Sequence, residues 1–320
     1  MTTRERQPWG AAFALRDPYP WPDLADLARE GESLGYAALF LPEVGARDVL
    51  ATLTGLAGET RALLLGSGIV PMPARTPRLL AAAAATVQER SGGRLILGLG
   101  TGPSSPGALE RLRALVALVR GALAGEHVRL EDGTRFQLGL VPERPPEIWI
   151  AALGPKAVRL AGEVADGVLL NWCTPERVRR ARAELADGAR GAGRDPSDIT
   201  VAVYVRACLH RDASAAMAAV QAMAGEYASY PAYARQFAAL GLGDDAEQAA
   251  AAHRAGRSED VPERLVREVS LVGEPSHARG RLESFRLAGA DLPVVYPVVV
   301  PGTPPDASAR ETLQALAPRT

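Results

Sequence analysis

The first candidate for chemistry is a carboxylate, Glu43, which follows an apolar run and Pro42. The run predicts a buried strand, so Glu43 stands where that strand ends. In barrels of parallel strands, catalytic groups come from the carboxyl ends of the strands. A carboxyl group in a partly apolar cleft can remain protonated and act as a general acid. The alternative is a structural ion pair with Arg47 or Arg75, and the sequence leaves both interpretations open.

Two glycine-containing segments that follow predicted strands are candidates for ligand binding. Residues 98–102, Gly-Leu-Gly-Thr-Gly, lack the GxGxxG spacing of a dinucleotide fingerprint. Their backbone N–H groups could still bind an anion or the carbonyl oxygens of a ring. Residues 152–156, Ala-Leu-Gly-Pro-Lys, open a predicted helix, where free N–H groups and Lys156 suit a phosphate. The alternatives are an ordinary glycine turn in the first segment and simple helix capping in the second.

Polar and aromatic residues lie on the sixth and seventh predicted strands. Asn171 could hydrogen-bond a ligand, while Trp172 could form one wall of a cleft or lie in the core under an insertion. Tyr204 and Arg206 are two positions apart on one strand, so they share a face. If that face points inward, Arg206 requires an anionic partner such as a cofactor phosphate or an acidic substrate. Cys173 has no evident base partner, which argues against a nucleophilic role.

Composition and motifs exclude several classes of function. The formal net charge of −1 gives no general attraction for nucleic acid or an anionic membrane, and no apolar stretch reaches the length of a membrane span. The four histidines form no metal-binding pair, so we expect no metal site, and neither HExxH nor GxSxG is present. The charged amino terminus lacks the hydrophobic segment of a secretory signal. With two distant cysteines, we expect a cytoplasmic protein with reduced thiols.

The elements that would position these residues alternate between strand and helix. Apolar runs bounded by glycine or proline predict eight strands. The predicted strands are residues 9–15, 37–41, 63–65 with a glycine-broken end, 95–99, 147–151, 167–171, 199–209 and 294–300. Helical spacing of apolar residues predicts helices between them, among them 49–56, 77–90 and 175–188. This alternation favours an α/β fold, a (β/α)8 TIM barrel, over two doubly wound halves.

Three segments depart from the strand–helix rhythm. The prolines at 18, 20 and 22 predict a loop after the first strand. Residues 126–138 predict a small β-hairpin that turns on Asp132-Gly133. Residues 213–267 are mostly helical and predict a helical insertion before the last strand. Because no interdomain linker is present, we expect residues 1–320 to form a single domain.

Four stretches of the chain resemble the bacterial-luciferase-like superfamily. They are LGYAALFLPE, GSGIV, ERSGGRLILGLGTG and IAALGPKAVRLAGEVADGVLLNW. The resemblance is strongest between residues 34 and 176, and it is closest to the branch that uses the deazaflavin coenzyme F420. That branch holds the methylene-tetrahydromethanopterin reductases and related actinobacterial oxidoreductases. The resemblance implies a barrel whose strand ends hold a flavin or deazaflavin in an open cleft.

The resemblance also implies roles for individual residues. In the family, the third strand carries a bulge with a non-prolyl cis peptide behind the ring, and the matching bond here is Gly68–Ile69. An ordinary β-bulge marked by Gly66 and Gly68 is the alternative. The implied cofactor-binding residues are Gly68, Ile69, Val70, Gly100, Thr101, Gly102, Ala152, Leu153, Gly154, Lys156 and Asn171. The implied substrate contacts are Phe13, Trp172, Tyr204 and Arg206, and Glu43 would be the catalytic residue.

The function that the resemblance implies is hydride transfer between coenzyme F420 and a small organic substrate, in a homodimer. The alternatives are an FMN-dependent monooxygenase and a flavin-binding relative without turnover. Two departures from the family pattern concern the substrate side. PSSPGALERL leads directly into a helix where many relatives carry a long substrate loop, and Glu43-Val44 replaces an acidic–histidine pair. Both departures affect the expected substrate and proton donor more than the expected cofactor.

Overall fold

Parallel strands close into a barrel in the structure, a computed structural model that describes residues 8–13, 19–45, 47–103 and 105–318. The strands, in chain order, are β1 (Gly10–Ala12), β2 (Ala38–Pro42), β3 (Leu64–Pro71), β4 (Leu95–Gly100), β5 (Val128–Arg129), β6 (Arg135–Phe136), β7 (Glu147–Ala151), β8 (Gly167–Asn171), β9 (Thr200–Cys208), β10 (Ser270–Val272) and β11 (Leu292–Pro297). Eight of them pair in the order β1-β2-β3-β4-β7-β8-β9-β11, and β11 pairs with β1 to close the sheet. Because all eight are parallel, their carboxyl ends meet at one mouth of the barrel.

Helices follow the strands and cover the barrel. They are α1 (Trp21–Ser33), α2 (Val49–Leu56), α3 (Pro77–Arg90), α4 (Ala108–Leu123), α5 (Pro155–Val164), α6 (Pro175–Gly191), α7 (Ala213–Ala228), α8 (Pro231–Ala239), α9 (Gly243–Arg254), α10 (Glu263–Val269), α11 (Pro275–Leu287) and α12 (Pro305–Ala315). Several begin at sequence-encoded caps: Asp48, Thr76 and Thr174 each accept a hydrogen bond from the backbone N–H three residues on. Within the described part of the chain, no helix combines the length and apolar character needed to cross a membrane.

The inside of the barrel is filled with aromatic side chains. The ring centroid of Phe40 lies 5.6 Å from that of Trp149 and 6.0 Å from that of Tyr204. Tyr204 in turn packs edge-on against Tyr296, with centroids 5.3 Å apart. Alternate residues of the same strands, such as Leu39 on β2, point outward into the layer between the barrel and the helices. Because the interior is packed, a ligand cannot enter it, and barrel ligands bind at the end where the strands terminate.

Helices α7–α10 form an insertion that covers part of the barrel mouth. Their apolar residues share one core cluster with Cys208 at the end of β9 and with Val298 and Val300 after β11. The short strand β10 pairs with residues 206–208 of β9, beyond the point where β8 stops pairing at residue 204. The insertion therefore packs over β9 and β11, and α8 also reaches the end of β8, where Gln236 donates to the carbonyls of Asn171 and Trp172.

The barrel, the hairpin and the helical insertion predicted from the sequence are confirmed. The first strand is shorter than predicted, and residues 14–18 of that strand and the following loop lie outside the described residues. Pro22 lies in the first turn of α1 rather than in a loop, because proline is compatible with the first helical positions. β10 and α11 were not predicted, since three residues added to a strand edge produce little periodicity.

Candidate functional site

Five strands present half-exposed residues at the barrel mouth. These residues are Glu43 after β2, Ile69 in β3, Thr101 after β4, Leu153 after β7 and Asn171 in β8. They succeed one another in the order of the strands, so they form a continuous rim, which we call the strand-end arc. A ligand that enters the mouth of the barrel would contact the strand-end arc.

The third strand carries the predicted bulge. The step from Gly66 to Val70 in β3 faces the step from Ile96 to Leu99 in β4, so β3 holds one extra residue there. The expected cis peptide at Gly68–Ile69 is wrong, because the described residues contain no cis peptide bond. β3 accommodates the extra residue over the four steps from Gly66 to Val70, with trans peptide bonds throughout. A cis peptide bond that does not precede proline would cost about 3 kcal/mol.

Missing side chains allow the ends of β3 and β4 to approach each other closely. The side chain of Ser67 in β3 bonds to Gly98 in β4. Its buried Oγ accepts from the N–H of Gly98 at 2.8 Å and donates to the carbonyl of Gly98 at 3.0 Å. A Cβ atom on Gly98 would lie 2.2 Å from the carbonyl oxygen of Ser67. A Cβ on Gly100 would lie 3.0 Å from Cδ1 of Ile69. The predicted cofactor residues of the two strands therefore lie side by side.

Gly68 and Gly102 mark the two ends of this contact region. A Cβ on Gly68 would lie 2.6 Å from Oη of Tyr204 and 2.9 Å from the backbone nitrogen of Pro42. Gly102 has a φ of 70° and adjoins Pro73, whose Cδ would lie 3.0 Å from an added Cβ. Positive φ and close backbone approach both favour glycine at these positions.

Glu43 is held by an ion pair. Its Oε1 accepts from Nη2 of Arg75 at 2.8 Å, and its Oε2 accepts from Nε at 3.3 Å. The same guanidinium lies 2.8 Å from Oδ2 of Asp48, the cap of α2. Burial alone would raise the pKa of Asp48, but the N–H of Ala51 and the Arg75 guanidinium outweigh burial and lower it. The structural alternative for Glu43, an ion pair with Arg75 as the partner, is present in the structure.

A cavity of about 650 Å³ lies outside the barrel wall, between α4 and the β5–β6 hairpin. Met72, Leu115 and Leu130 contribute apolar parts of its lining, and Arg75 borders it. Arg75 therefore lies between this cavity and Glu43 on the strand-end arc.

The predicted anion site lies at the amino terminus of α5. Gly154 caps this helix without a side-chain hydrogen bond, and both Gly154 and Lys156 are exposed. Behind the loop, the carbonyl of Leu153 accepts from Nη2 of Arg177 at 3.0 Å, which fixes the path of the backbone. Ala152 is buried, and its N–H donates to the carbonyl of Leu169 in β8. Pro155 has no N–H and the N–H of Ala157 donates to the carbonyl of Gly154 at 3.1 Å, so the N–H of the exposed Lys156 remains in the first turn for an anion.

Asn171, Tyr204 and Arg206 come together inside the mouth, under the insertion. Nη1 of Arg206 donates to Oδ1 of Asn171 at 2.9 Å, and Nδ2 of Asn171 donates to the hydroxyl of Tyr233 in α8 at 2.8 Å. The guanidinium carbon of Arg206 lies 3.8 Å from the ring centroid of Tyr296. Tyr204 and Arg206 are both buried, so their shared face points inward. Burial raises the pKa of Tyr204 well above its usual range, and its hydroxyl stays neutral.

Three residues expected to contact ligands are instead packed in cores. Trp172 is fully buried against the insertion, next to Phe237, so the core alternative holds rather than the cleft wall. Phe13 packs against Tyr19 in the layer outside the barrel, since Ala12 occupies the inward position at the end of β1. Val70 points into the same outer layer, because alternation on β3 turns it away from the mouth.

Comparison with known protein families shows which family the chain belongs to. The model of the luciferase-like monooxygenases matches residues 7–292. This chain belongs to the luciferase-like monooxygenase family. A 5,10-methylenetetrahydromethanopterin reductase of Methanolobus tindarius is 35% identical over 231 residues, which are 67% of this chain and 69% of that protein. A putative coenzyme F420-dependent oxidoreductase of Mycobacterium tuberculosis is 28% identical, with 90% of this chain and 92% of that protein covered.

A solved structure agrees with the luciferase-like fold. The coenzyme F420-dependent tetrahydromethanopterin reductase from Methanopyrus kandleri superposes with a TM-score of 0.77, covering 96% of this chain and 97% of that chain. At 22% identity, this similarity establishes a shared fold. The resemblance inferred from the strand-end sequences is thus confirmed.

Sequence reasoning missed several residues of this luciferase-like site. Ser67, whose hydroxyl joins β3 to β4, was hidden inside a glycine-rich segment. Tyr227, Tyr233 and Tyr296 surround Arg206 or its hydrogen-bond partner Asn171. Tyr227, Tyr230 and Tyr233 recur every three residues, and this spacing was the available signal for the tyrosine cluster at the junction of α7 and α8.

Proposed function

We propose that this protein is an oxidoreductase that uses coenzyme F420 and transfers a hydride between that coenzyme and a small organic substrate. The named F420-dependent relatives support the choice of coenzyme. The observation that carries the proposal is the strand-end arc, where the β3 bulge and the glycines of β4 adjoin an uncapped helix terminus.

The residues of the strand-end arc fit a deazaflavin. The half-exposed Ile69 packs on Gly100, and neither Gly100 nor Gly102 has a side chain that would block a flat ring. The N–H and the ammonium of Lys156, in the first turn of α5, suit the phosphate of the coenzyme tail. Next to the bulge, Tyr204 adds a buried hydroxyl that has no hydrogen-bond partner among the described residues. These groups can bind a ring and an anionic tail with little rearrangement.

A bound deazaflavin supplies a ring carbon that accepts or releases a hydride. The protein's contribution is to bind and orient. Ile69 and Gly100 would support one face of the ring, and the packed interior around Phe40 would exclude water from below. Thr101 and Gly102 would line the ring edge, leaving the opposite face for the substrate.

We retain Glu43 as the proposed catalytic residue, with a role that its ion pair suggests. As a carboxylate, Glu43 can accept a proton at Oε1 or Oε2, the two atoms that also pair with Arg75. This capacity suits removal of a proton from a substrate hydroxyl when the substrate is oxidised. In the reducing direction, the same carboxyl would first have to take up a proton and then donate it.

Titration of the protein into coenzyme F420, followed by quenching of the coenzyme's fluorescence, tests the proposal. We expect saturable quenching, and no comparable binding in a parallel titration with FMN. Lys156→Ala should weaken binding by about 5- to 10-fold, the equivalent of roughly 1–1.4 kcal/mol. Arg190→Ala is the matched control, because Arg190 is exposed in the last turn of α6, at the opposite end of the barrel.

Two outcomes would redirect the assignment. Tight FMN binding with oxygen consumption by the reduced enzyme would favour the FMN-dependent monooxygenase. Coenzyme F420 binding without oxidation or reduction by any alcohol, aldehyde or ketone of a substrate panel would favour a non-catalytic relative.

A further inference from the structure

Arg206 is a buried cation that has aromatic rings around it where a carboxylate would be expected. It is 2% exposed. Its guanidinium carbon lies 3.8 Å from the ring centroid of Tyr296, 5.0 Å from that of Trp172 and 5.4 Å from that of Tyr227. Among the residues that the structure describes, no Asp or Glu forms a salt bridge with it. Cation–π contacts offset only part of the loss of hydration, so a charge in this position is incompletely compensated.

The hydrogen-bonding capacity of Arg206 is also incompletely used. A guanidinium carries five N–H donors in a planar fork. Two of them are used, one to Oδ1 of Asn171 at 2.9 Å and one to the hydroxyl of Tyr227 at 3.4 Å. Nε of Arg206 is buried and has no partner within the part of the chain that the structure describes. A planar group with unused donors matches the two oxygens of a carboxylate.

The unused donors lie next to the proposed coenzyme site. Arg206 shares its face with Tyr204, whose hydroxyl is itself unpartnered and adjoins the β3 bulge at Gly68. Asn171, a member of the strand-end arc, bonds directly to the guanidinium. The residues that cover Arg206 from above, Tyr227 and Tyr233, are half-exposed, so a single layer of side chains separates it from solvent. A small ligand on the strand-end arc could reach it by displacing those tyrosines.

We propose that Arg206 binds a carboxylate of the substrate, and hence that the substrate is a small organic acid. This inference rests on the proposed function, because it places the acid beside the coenzyme ring. The coenzyme's own phosphate is the less suitable partner. Its proposed site is at α5, after β7, whereas Arg206 lies on β9 beneath the insertion. The unpartnered hydroxyl of Tyr204 would then donate to a second polar atom of the same substrate.

Thermal unfolding of the coenzyme-free protein tests the anion site without relying on turnover. Pyruvate and acetate are the carboxylate probes, acetone is the neutral analogue, and inorganic phosphate is the competing anion, all at equal ionic strength. We expect the carboxylates to raise the unfolding midpoint, and acetone and phosphate to leave it unchanged. Arg206→Met should abolish the carboxylate effect, while Arg190→Met should retain it.

The unliganded variants provide a second readout. Methionine matches the length of the arginine stem without its charge, so Arg206→Met should unfold at the same temperature as the unchanged protein or at a higher one. A lower midpoint would show that the guanidinium of Arg206 stabilises the fold, and this result would overturn the proposal. An equal carboxylate effect in Arg206→Met, or a stronger effect of phosphate, would also overturn it.

Coenzyme affinity separates this inference from the proposed function. Arg206→Met should bind coenzyme F420 within about twofold of the unchanged protein in the fluorescence titration. A tenfold loss would assign Arg206 to the coenzyme and contradict a substrate site. Carboxylate binding that depends on Arg206, in a protein that binds no coenzyme F420, would leave the anion site standing while the proposed function fails.

Discussion

Replacing Gly68 by alanine tests whether the β3 bulge depends on a missing side chain. The added Cβ would lie 2.6 Å from Oη of Tyr204, 2.9 Å from the nitrogen of Pro42 and 3.0 Å from its Cα. The two Pro42 atoms are backbone of β2 and cannot rotate away, so β2 and β3 must separate. Overpacking of this kind costs about 1–3 kcal/mol. At roughly 2–4 °C per kcal/mol for chains of about 200 residues, we expect the unfolding midpoint to fall by several degrees.

A double-mutant cycle separates the two sources of the Gly68 clash. Tyr204→Phe removes the contact at 2.6 Å, so Gly68→Ala combined with Tyr204→Phe should recover part of the loss and leave the Pro42 part. Gly154→Ala is the control: its Cβ would meet nothing within 4 Å, and its φ of −90° suits alanine. That change should be neutral, or stabilise by about 0.4–1 kcal/mol. A Gly68→Ala protein as stable as the Gly154→Ala protein, in chemical denaturation, would refute the reasoning.

Two further substitutions and one labelling experiment probe the barrel. Ser67→Ala removes both hydrogen bonds of a buried hydroxyl to β4 and should cost about 1–3 kcal/mol in urea unfolding. Burial alone would raise the pKa of Glu32, but three backbone N–H groups at residues 61–63 lower it from 4.5, so its stabilising effect is complete above pH 4.5 and lost as the pH falls further. In the Glu32→Gln variant, the free energy of unfolding should therefore fall less steeply as the pH decreases below 4.5. Burial raises the pKa of Cys173 and of Cys208 to about 12, so a thiol reagent at pH 8 should label neither until the protein unfolds.

Much of the barrel could be predicted because its elements carry local signals. α2 begins directly after the cap Asp48, and the apolar run 147–151 is bounded by polar or small residues, so both elements occupy their predicted ranges. β10 had no such signal: its three residues become a strand by pairing with the far end of β9. β10 therefore forms through pairing with a segment distant in sequence, which a local sequence pattern does not indicate.

The site was predicted less completely, because its geometry depends on contacts between distant segments. Alternation along β9 showed that Tyr204 and Arg206 share a face, but the partners of Arg206 come from β8, α7 and β11. The sequence allowed Trp172 both a cleft wall and a core position, and the packing of the insertion decides between them. The bulge followed from two glycines, whereas its trans peptides depend on how neighbouring strands distribute one extra residue.

A crystal structure of the protein soaked with coenzyme F420 tests the central claim most directly. We expect the coenzyme ring to lie on the strand-end arc, in contact with Ile69 and Gly100. The phosphate of the coenzyme tail should lie at the amino terminus of α5. A ring bound in the cavity between α4 and the hairpin, or a strand-end arc still free of ligand at saturating coenzyme, would contradict it.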